Sequence, residues 1–125
     1  MLYLSSKLKE TQDYKNAADR LFAALHAAGL EYQLIDGARD IWLRDFMPVQ
    51  IWDSSFVSFR YEPSYLKNEP ELQTNFKSDL SAQFPFSVTY SDINLDGGNV
   101  VFSPSKEKAV ISERILTENP NYTQA

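Results

Sequence analysis

Two short stretches carry the residue types from which chemistry could be built. Residues 40 to 50 read DIWLRDFMPVQ, and residues 92 to 99 read DINLDGGN. Written at strand period, the first stretch puts Asp40, Trp42, Arg44 and Phe46 on one face. The other face carries Ile41, Leu43, Asp45, Met47 and Val49, so Asp45 is the lone charge in an apolar row. An ionised carboxylate taken out of water costs several kcal/mol unless a cation or several donors meet it. Asp45 therefore needs a partner, internal or bound. Arg44 can pair with Asp40 along its own face, and Trp42 can offer a wall on which a planar cation stacks.

In the second stretch Asp92, Asn94, Asp96 and Gly97 match the start of a calcium loop of the EF-hand type. The match then fails, because Ser103 stands where a bidentate glutamate belongs and the preceding SVTY reads as a strand rather than an entering helix. We assign no metal. The plainer reading of Asp96-Gly97-Gly98 is a turn in which Asp accepts local N–H groups and Gly supplies positive φ. A glycine pair also allows a backbone to approach a ligand closely. The single histidine, His26, falls at the edge of a helical apolar stripe and reads as a boundary residue rather than a base. With no cysteine, disulfides, cysteine-ligated zinc and a thiol nucleophile are excluded.

The chain has 125 residues, enough for one domain with a core and too few for two ordinary ones. Its 43% hydrophobic and 23% charged residues belong to a folded globular chain. Seventeen acidic against twelve basic residues give a formal charge of -5, with no Lys/Arg stripe, which argues against nucleic acid and favours cationic partners. No apolar run of about 18 residues and no signal-peptide pattern occur, so the expectation is a cytoplasmic protein without a membrane partner.

The elements that must position the two stretches follow from periodicity. Tyr14, Ala18, Leu21, Phe22, Leu25 and Ala28 share one face of a helix over 11–28, with Thr11 as N-cap and Gly29 at C′. A second helix is expected from Pro70 to Gln83 on the spacing of Leu72, Phe76 and Leu80, with Pro85 stopping it. Strands are expected at 2–5, 32–35, 41–52, 56–61, 87–90, 99–103 and 108–112, separated by turns at 36–37, 53–55, 96–98 and 103–107.

The order helix, strand, strand, strand then occurs twice, with a period of about 55 to 60 residues. The two units span residues 1–62 and 63–120, followed by a frayed tail at 121–125. Such repeats usually need about three or more copies to bury a continuous core, so the unit reads as incomplete and its open edges invite self-association.

The residues also carry a resemblance. DIWLRDFMP resembles the D-x-W-x-R-D-x-x-P signature of the agmatine deiminases and bacterial peptidylarginine deiminases. LDGGNVVFSP and the following KAVISERILTENPN resemble the acid-Gly-Gly segment of those enzymes and the strand and loop after it. The resemblance covers most of residues 32–120. It implies an α/β fold of the guanidine-modifying, or pentein, type, with about two of its five α-β-β-β units present.

In that family the carboxylates matching Asp45 and Asp96 lie near the substrate guanidinium. The implied substrate-binding set is Asp45, Asp96, Trp42 and Arg44, and the implied ligand is agmatine, an arginine-like molecule or peptidyl-arginine, with no cofactor. A planar guanidinium presents paired donors that two carboxylates can grip from different edges. The family's acid before Gly-Gly is usually Glu, one methylene longer than Asp96. Its enzymes attack the guanidinium carbon with a cysteine thiolate, helped by a histidine and an acid. The resemblance places those groups beyond Ala125, so no catalytic residue is expected in this chain. The alternative is a non-catalytic binding or assembly module completed by self-association.

Overall fold

The apolar stripe of residues 11–28 folds as a helix, but a shorter one than its spacing suggests. The computed structural model describes residues 1–105 and 107–122; Lys106, within the expected 103–107 turn, and residues 123–125 of the expected tail lie outside them. After β1 (Leu2–Ser5) and a single turn, α1 (Lys7–Glu10), a 3-10 turn covers Gln12–Tyr14 and only then does α2 (Lys15–Ala27) begin. Thr11 makes no side-chain capping bond, contrary to the expectation, because the 3-10 turn separates it from α2. The other end is as expected. Gly29 adopts φ +64°, the Leu30 amide donates to the Leu25 carbonyl at 3.0 Å and the Gly29 amide to that of His26 at 3.1 Å, a Schellman closure.

The chain then returns as β2 (Tyr32–Ile35), parallel to β1 with Leu2 opposite Tyr32 and Ser5 opposite Ile35. Parallel pairing needs a crossover of this kind. A second sheet has the order β3 (Val49–Trp52), β4 (Ser55–Arg60), β5 (Val88–Asn94), with β3 antiparallel and β5 parallel to the central strand. β6 (Val100–Phe102) and β7 (Ala109–Ile111) form a separate antiparallel hairpin, and α4 (Arg114–Glu118) follows. The architecture is mixed α/β with three small sheets. Among the described residues no helix is long and apolar enough to cross a membrane.

Two expectations are overturned, and both corrections shape the site. Residues 41–52 are not one strand. Leu43–Phe46 form a helical turn, α3, and only Val49–Trp52 are extended. The turn buries Leu43 and Phe46 together, at 7% and 3% exposure, which their spacing of three allows on a helix and forbids on a strand. It stops at Met47, whose ψ of 150° is what the residue before Pro48 prefers.

The helix expected over 70–83 is broken into a 3-10 turn at Pro70–Leu72, a π turn at Phe76–Leu80 and a 3-10 turn at Ser81–Gln83. Asn75 restarts the chain by accepting from the Lys77 and Ser78 amides, and the fully buried Thr74 before it accepts the Arg39 amide at 3.0 Å.

These pieces converge on one core. Ile35 from β2, Leu43 and Phe46 from α3, Phe76 and Leu80 from the π turn, and Phe84 form a buried cluster. Burying each such side chain is worth about 1.5 to 3 kcal/mol. The anchored α3 turn thus has one face in the core, and its remaining residues, Arg44 and Asp45, are held against the turn that follows β5.

Candidate functional site

Asp45 projects from α3, whose other side is fixed by Leu43 and Phe46, so its backbone has little freedom. Asp96 is fixed from the opposite direction. At the end of β5 the Asn94 side chain pairs with the Glu62 backbone in both senses, donating to its carbonyl at 2.8 Å and accepting from its amide at 2.8 Å. The buried Asn119, just after α4, pairs in the same manner with the Asn94 backbone, accepting at 2.7 Å and donating at 2.8 Å. Two buried amide side chains therefore stand in for strand partners, and Leu95 and Asp96 leave β5 along a fixed path.

The chain next makes a 3-10 turn, Gly97–Asn99, packed on α3. Asp96 does what its turn reading expects and accepts the Gly98 amide at 2.8 Å. The glycines do not: neither Gly97 nor Gly98 has positive φ. They are small because α3 is in the way. A Cβ on Gly97 would collide with the Arg44 carbonyl oxygen, and one on Gly98 would lie 2.6 Å from Asp45 Oδ1 and 3.0 Å from Asp96 Oδ1. The close approach that a glycine pair permits is made here by the chain's own α3.

Asp45 and Asp96 are thus brought together beside Gly98. Two carboxylates so close do not both ionise freely. Partial burial, then the charge of the neighbouring Asp96, push the Asp45 carboxyl up from the usual 3.8 to about 6; the Gly98 amide and the Arg44 guanidinium pull the other way. Asp45 holds its proton in mild acid and loses it as pH rises through about 6.

Of the other expected site residues, Arg44 is committed elsewhere. Its Nη2 donates to the Val100 carbonyl at 2.8 Å, tying α3 to β6, while Asp40, its expected partner, accepts its neighbour's amide, that of Ile41, at 2.6 Å. Trp42 precedes α3 and is 61% exposed, its ring open to solvent. The calcium-loop pattern does not form, since Asp92 and Asn94 lie within β5 and the Asn94 side chain is used by Glu62. Among the described residues no three His, Cys, Asp or Glu side chains gather as a metal site. His26 lies exposed on α2.

Sequence reasoning missed the residues that complete the site. Tyr65 donates to Asp96 Oδ2 at 3.0 Å, and its hydroxyl is 3.2 Å from that of Tyr61, whose ring packs on Phe46 at 5.6 Å. The Arg114 guanidinium from α4 lies over the Tyr65 ring at 5.0 Å, and Glu118 holds it with a 3.0 Å ion pair while also accepting the Ser64 amide and hydroxyl. Burial, first of all, raises both tyrosine hydroxyls, so both stay protonated at neutral pH. The only hint in the sequence was the spacing of four between two tyrosines.

A cleft of about 500 Å³ lies beside α3, lined by the apolar side chains of Leu2, Met47, Phe56 and Phe86 among others, but Asp45 does not border it. Asp45 and Asp96 are themselves half-buried. Compared with known proteins, the chain matches no family model, no curated protein and no solved structure.

Proposed function

We propose that this chain is a guanidinium-recognition unit related to the agmatine and peptidylarginine deiminases, with its α/β pieces corresponding to about two of the five units of a pentein. Asp45 and Asp96 grip the planar cation from two edges, Trp42 offers its face for stacking, and Arg44 holds α3 in register beside them. The ligand is agmatine, an arginine-like molecule or peptidyl-arginine. The chain binds and does not catalyse by itself, because it contains no cysteine to attack the guanidinium carbon and its one histidine, His26, lies on a distant helix.

One observation carries this reading. Two acids from stretches far apart in sequence meet in the fold, with an oxygen of each against Gly98. A carboxyl group whose proton affinity is raised by burial and by a neighbouring acid, as that of Asp45 is, is a site that a cation relieves. Calorimetric titration with agmatine tests it. Weak, saturable binding that disappears in Asp45→Asn supports the reading, and equal heats from both chains would remove it. Affinity in the millimolar range is expected, since so open a site leaves most of the ligand wet.

A second reading has its own observation. On the β6–β7 hairpin and α4, Val101, Val110 and Leu116 are 61%, 72% and 43% exposed, a bare apolar surface on a two-stranded sheet. This favours a module that completes its core by self-association. Sedimentation across concentrations separates the two: a single defined oligomer supports the module, and a monomer at all concentrations argues against it.

A further inference from the structure

The cleft beside α3 is separate from the two acids and has a different chemistry. Its volume is about 500 Å³, the size of a small-molecule site, and neither Asp45 nor Asp96 borders it. Its floor is anchored. Met47 and Phe86 pack against the central core, and the Phe86 ring stacks on that of Phe56 from β4 with centroids 4.0 Å apart. Leu2 of β1 and Leu43 of α3 add further apolar wall.

Of the side chains that line the cleft, Arg44 alone is charged. No acid lines it, although the chain as a whole carries a formal charge of -5. Arg44 commits Nη2 to the Val100 carbonyl at 2.8 Å, and among the described residues its Nε and Nη1 donate to no protein group. Such a fork matches the two oxygens of a carboxylate. Arg44 is exposed, whereas Met47, Phe56 and Phe86 are half-buried. An apolar body therefore settles inside while a charged head stays at the rim, within reach of water.

We propose that this cleft binds a small amphipathic carboxylate, with its apolar body against Met47, Phe56 and Phe86 and its head on the Arg44 guanidinium. A wholly apolar ligand leaves the guanidinium unused, and a cation meets it as a like charge. A polyanion finds only one cation here. The proposal does not rest on the guanidinium reading, in which Arg44 serves only to hold α3 in register.

The chain's two methionines, Met1 and Met47, both line the cleft, so their labelled methyl groups report on it directly. The test is a methyl NMR titration at pH 7 with phenylbutyrate, phenylbutanol and phenylbutylamine, which share an apolar body and differ in the head. Phenylbutyrate is expected to shift the Met47 methyl saturably. The alcohol lacks the charge-assisted bond and is expected to bind about tenfold more weakly, with the amine weaker still. In Arg44→Gln the acid loses its advantage over the alcohol.

Arg44 also ties α3 to Val100, so that variant may be replaced by one that spares the bond. Gln50→Glu sets an acid on an exposed position of the same lining and is expected to weaken the acid several-fold relative to the alcohol. Equal affinity for acid and alcohol in the natural chain, or no shift of the Met47 methyl with phenylbutyrate, would overturn the proposal. So would methyl shifts that follow protein concentration without ligand, which would assign the cleft to a second copy of the chain.

Discussion

Arg44 reaches from the α3 turn to the Val100 carbonyl at 2.8 Å, and this bond fixes the distance between the two halves of the carboxylate pair. Asp45 is the next residue along α3, and Asp96 lies just before the turn that leads into β6. Removing the guanidinium leaves a partly buried carbonyl without its donor. Arg44→Ala is expected to cost about 1.5 to 3 kcal/mol in urea unfolding, the range for a hydrogen bond to a charged group. Arg44→Lys recovers only part of this, because a single ammonium lacks the planar fork.

The two glycines give opposite expectations. In Gly97→Ala the new methyl meets the Arg44 carbonyl oxygen, which is backbone and cannot rotate away, so a loss of about 1 to 3 kcal/mol is expected. In Gly98→Ala the methyl meets Asp45 Oδ1 at 2.6 Å, the free end of a side chain. That variant folds with little loss, and its Asp45 carboxyl moves away from Asp96. Thermal melts with an NMR titration of Asp45 separate the two effects.

Stability should also record the raised affinity of Asp45 for a proton. Its carboxyl titrates at about 6 in the folded chain against the usual 3.8, so between these values the native state binds more protons than the unfolded one. Stability from this group is therefore full below about pH 4 and is lost as pH rises through about 6. Asp45→Asn removes the repulsion, and at pH 7 it is expected to be more stable than the natural chain by about 1 kcal/mol, allowing for solvent around a half-exposed group. Denaturant unfolding at pH 4 and pH 7 checks the sign: the gain must vanish at the lower pH.

Asn119 supports the site from a distance. It satisfies the buried amide and carbonyl of Asn94 and ends α4, which carries Arg114 over Tyr65. Asn119→Ala orphans both backbone groups and is expected to cost about 2 to 3 kcal/mol in chemical unfolding. Asn119→Asp keeps the acceptor but sets a buried carboxyl oxygen against the Asn94 and Ile115 carbonyls, and is expected to cost at least as much as Asn119→Ala.

Much of this fold could be read from local pattern, and the reason is plain in particular elements. Ala18 and Leu25 of α2 are buried as the stripe requires, although Tyr14, Leu21 and Ala28 of the same stripe are exposed, and Gly29 closes the helix with the positive φ expected of C′. The strands outside residues 41–52 form near their expected places, because alternation and turn residues agree there.

Residues 41–48 misled because a short apolar run fits a strand or a buried helical turn equally well. What decides is the core that takes Leu43 and Phe46 together, which is a property of the assembled chain. Residues 70–83 misled because the spacing of Leu72, Phe76 and Leu80 is helical, while Thr74 and Asn75 are claimed by partners on other segments and by local capping.

Within the site, Asp45 stood out through a strand reading that the α3 turn overturns, and Asp96 read as a turn acid, which it is. Tyr61, Tyr65 and Arg114 did not stand out, since nothing in their neighbours indicates which distant carboxylate or ring they will meet.

The central claim is that the Asp45–Asp96 pair recognises a guanidinium. Its most direct test is an amide NMR titration of the natural chain with agmatine at pH 7 and pH 5, with Asp45→Asn in parallel. Saturable shifts centred on Gly97, Gly98 and Asp45 are expected at pH 7, with apparent affinity weaker by about tenfold at pH 5, where Asp45 holds its proton. Those shifts should be absent in Asp45→Asn. Shifts elsewhere on the chain, identical shifts in the variant, or none at either pH would contradict the account.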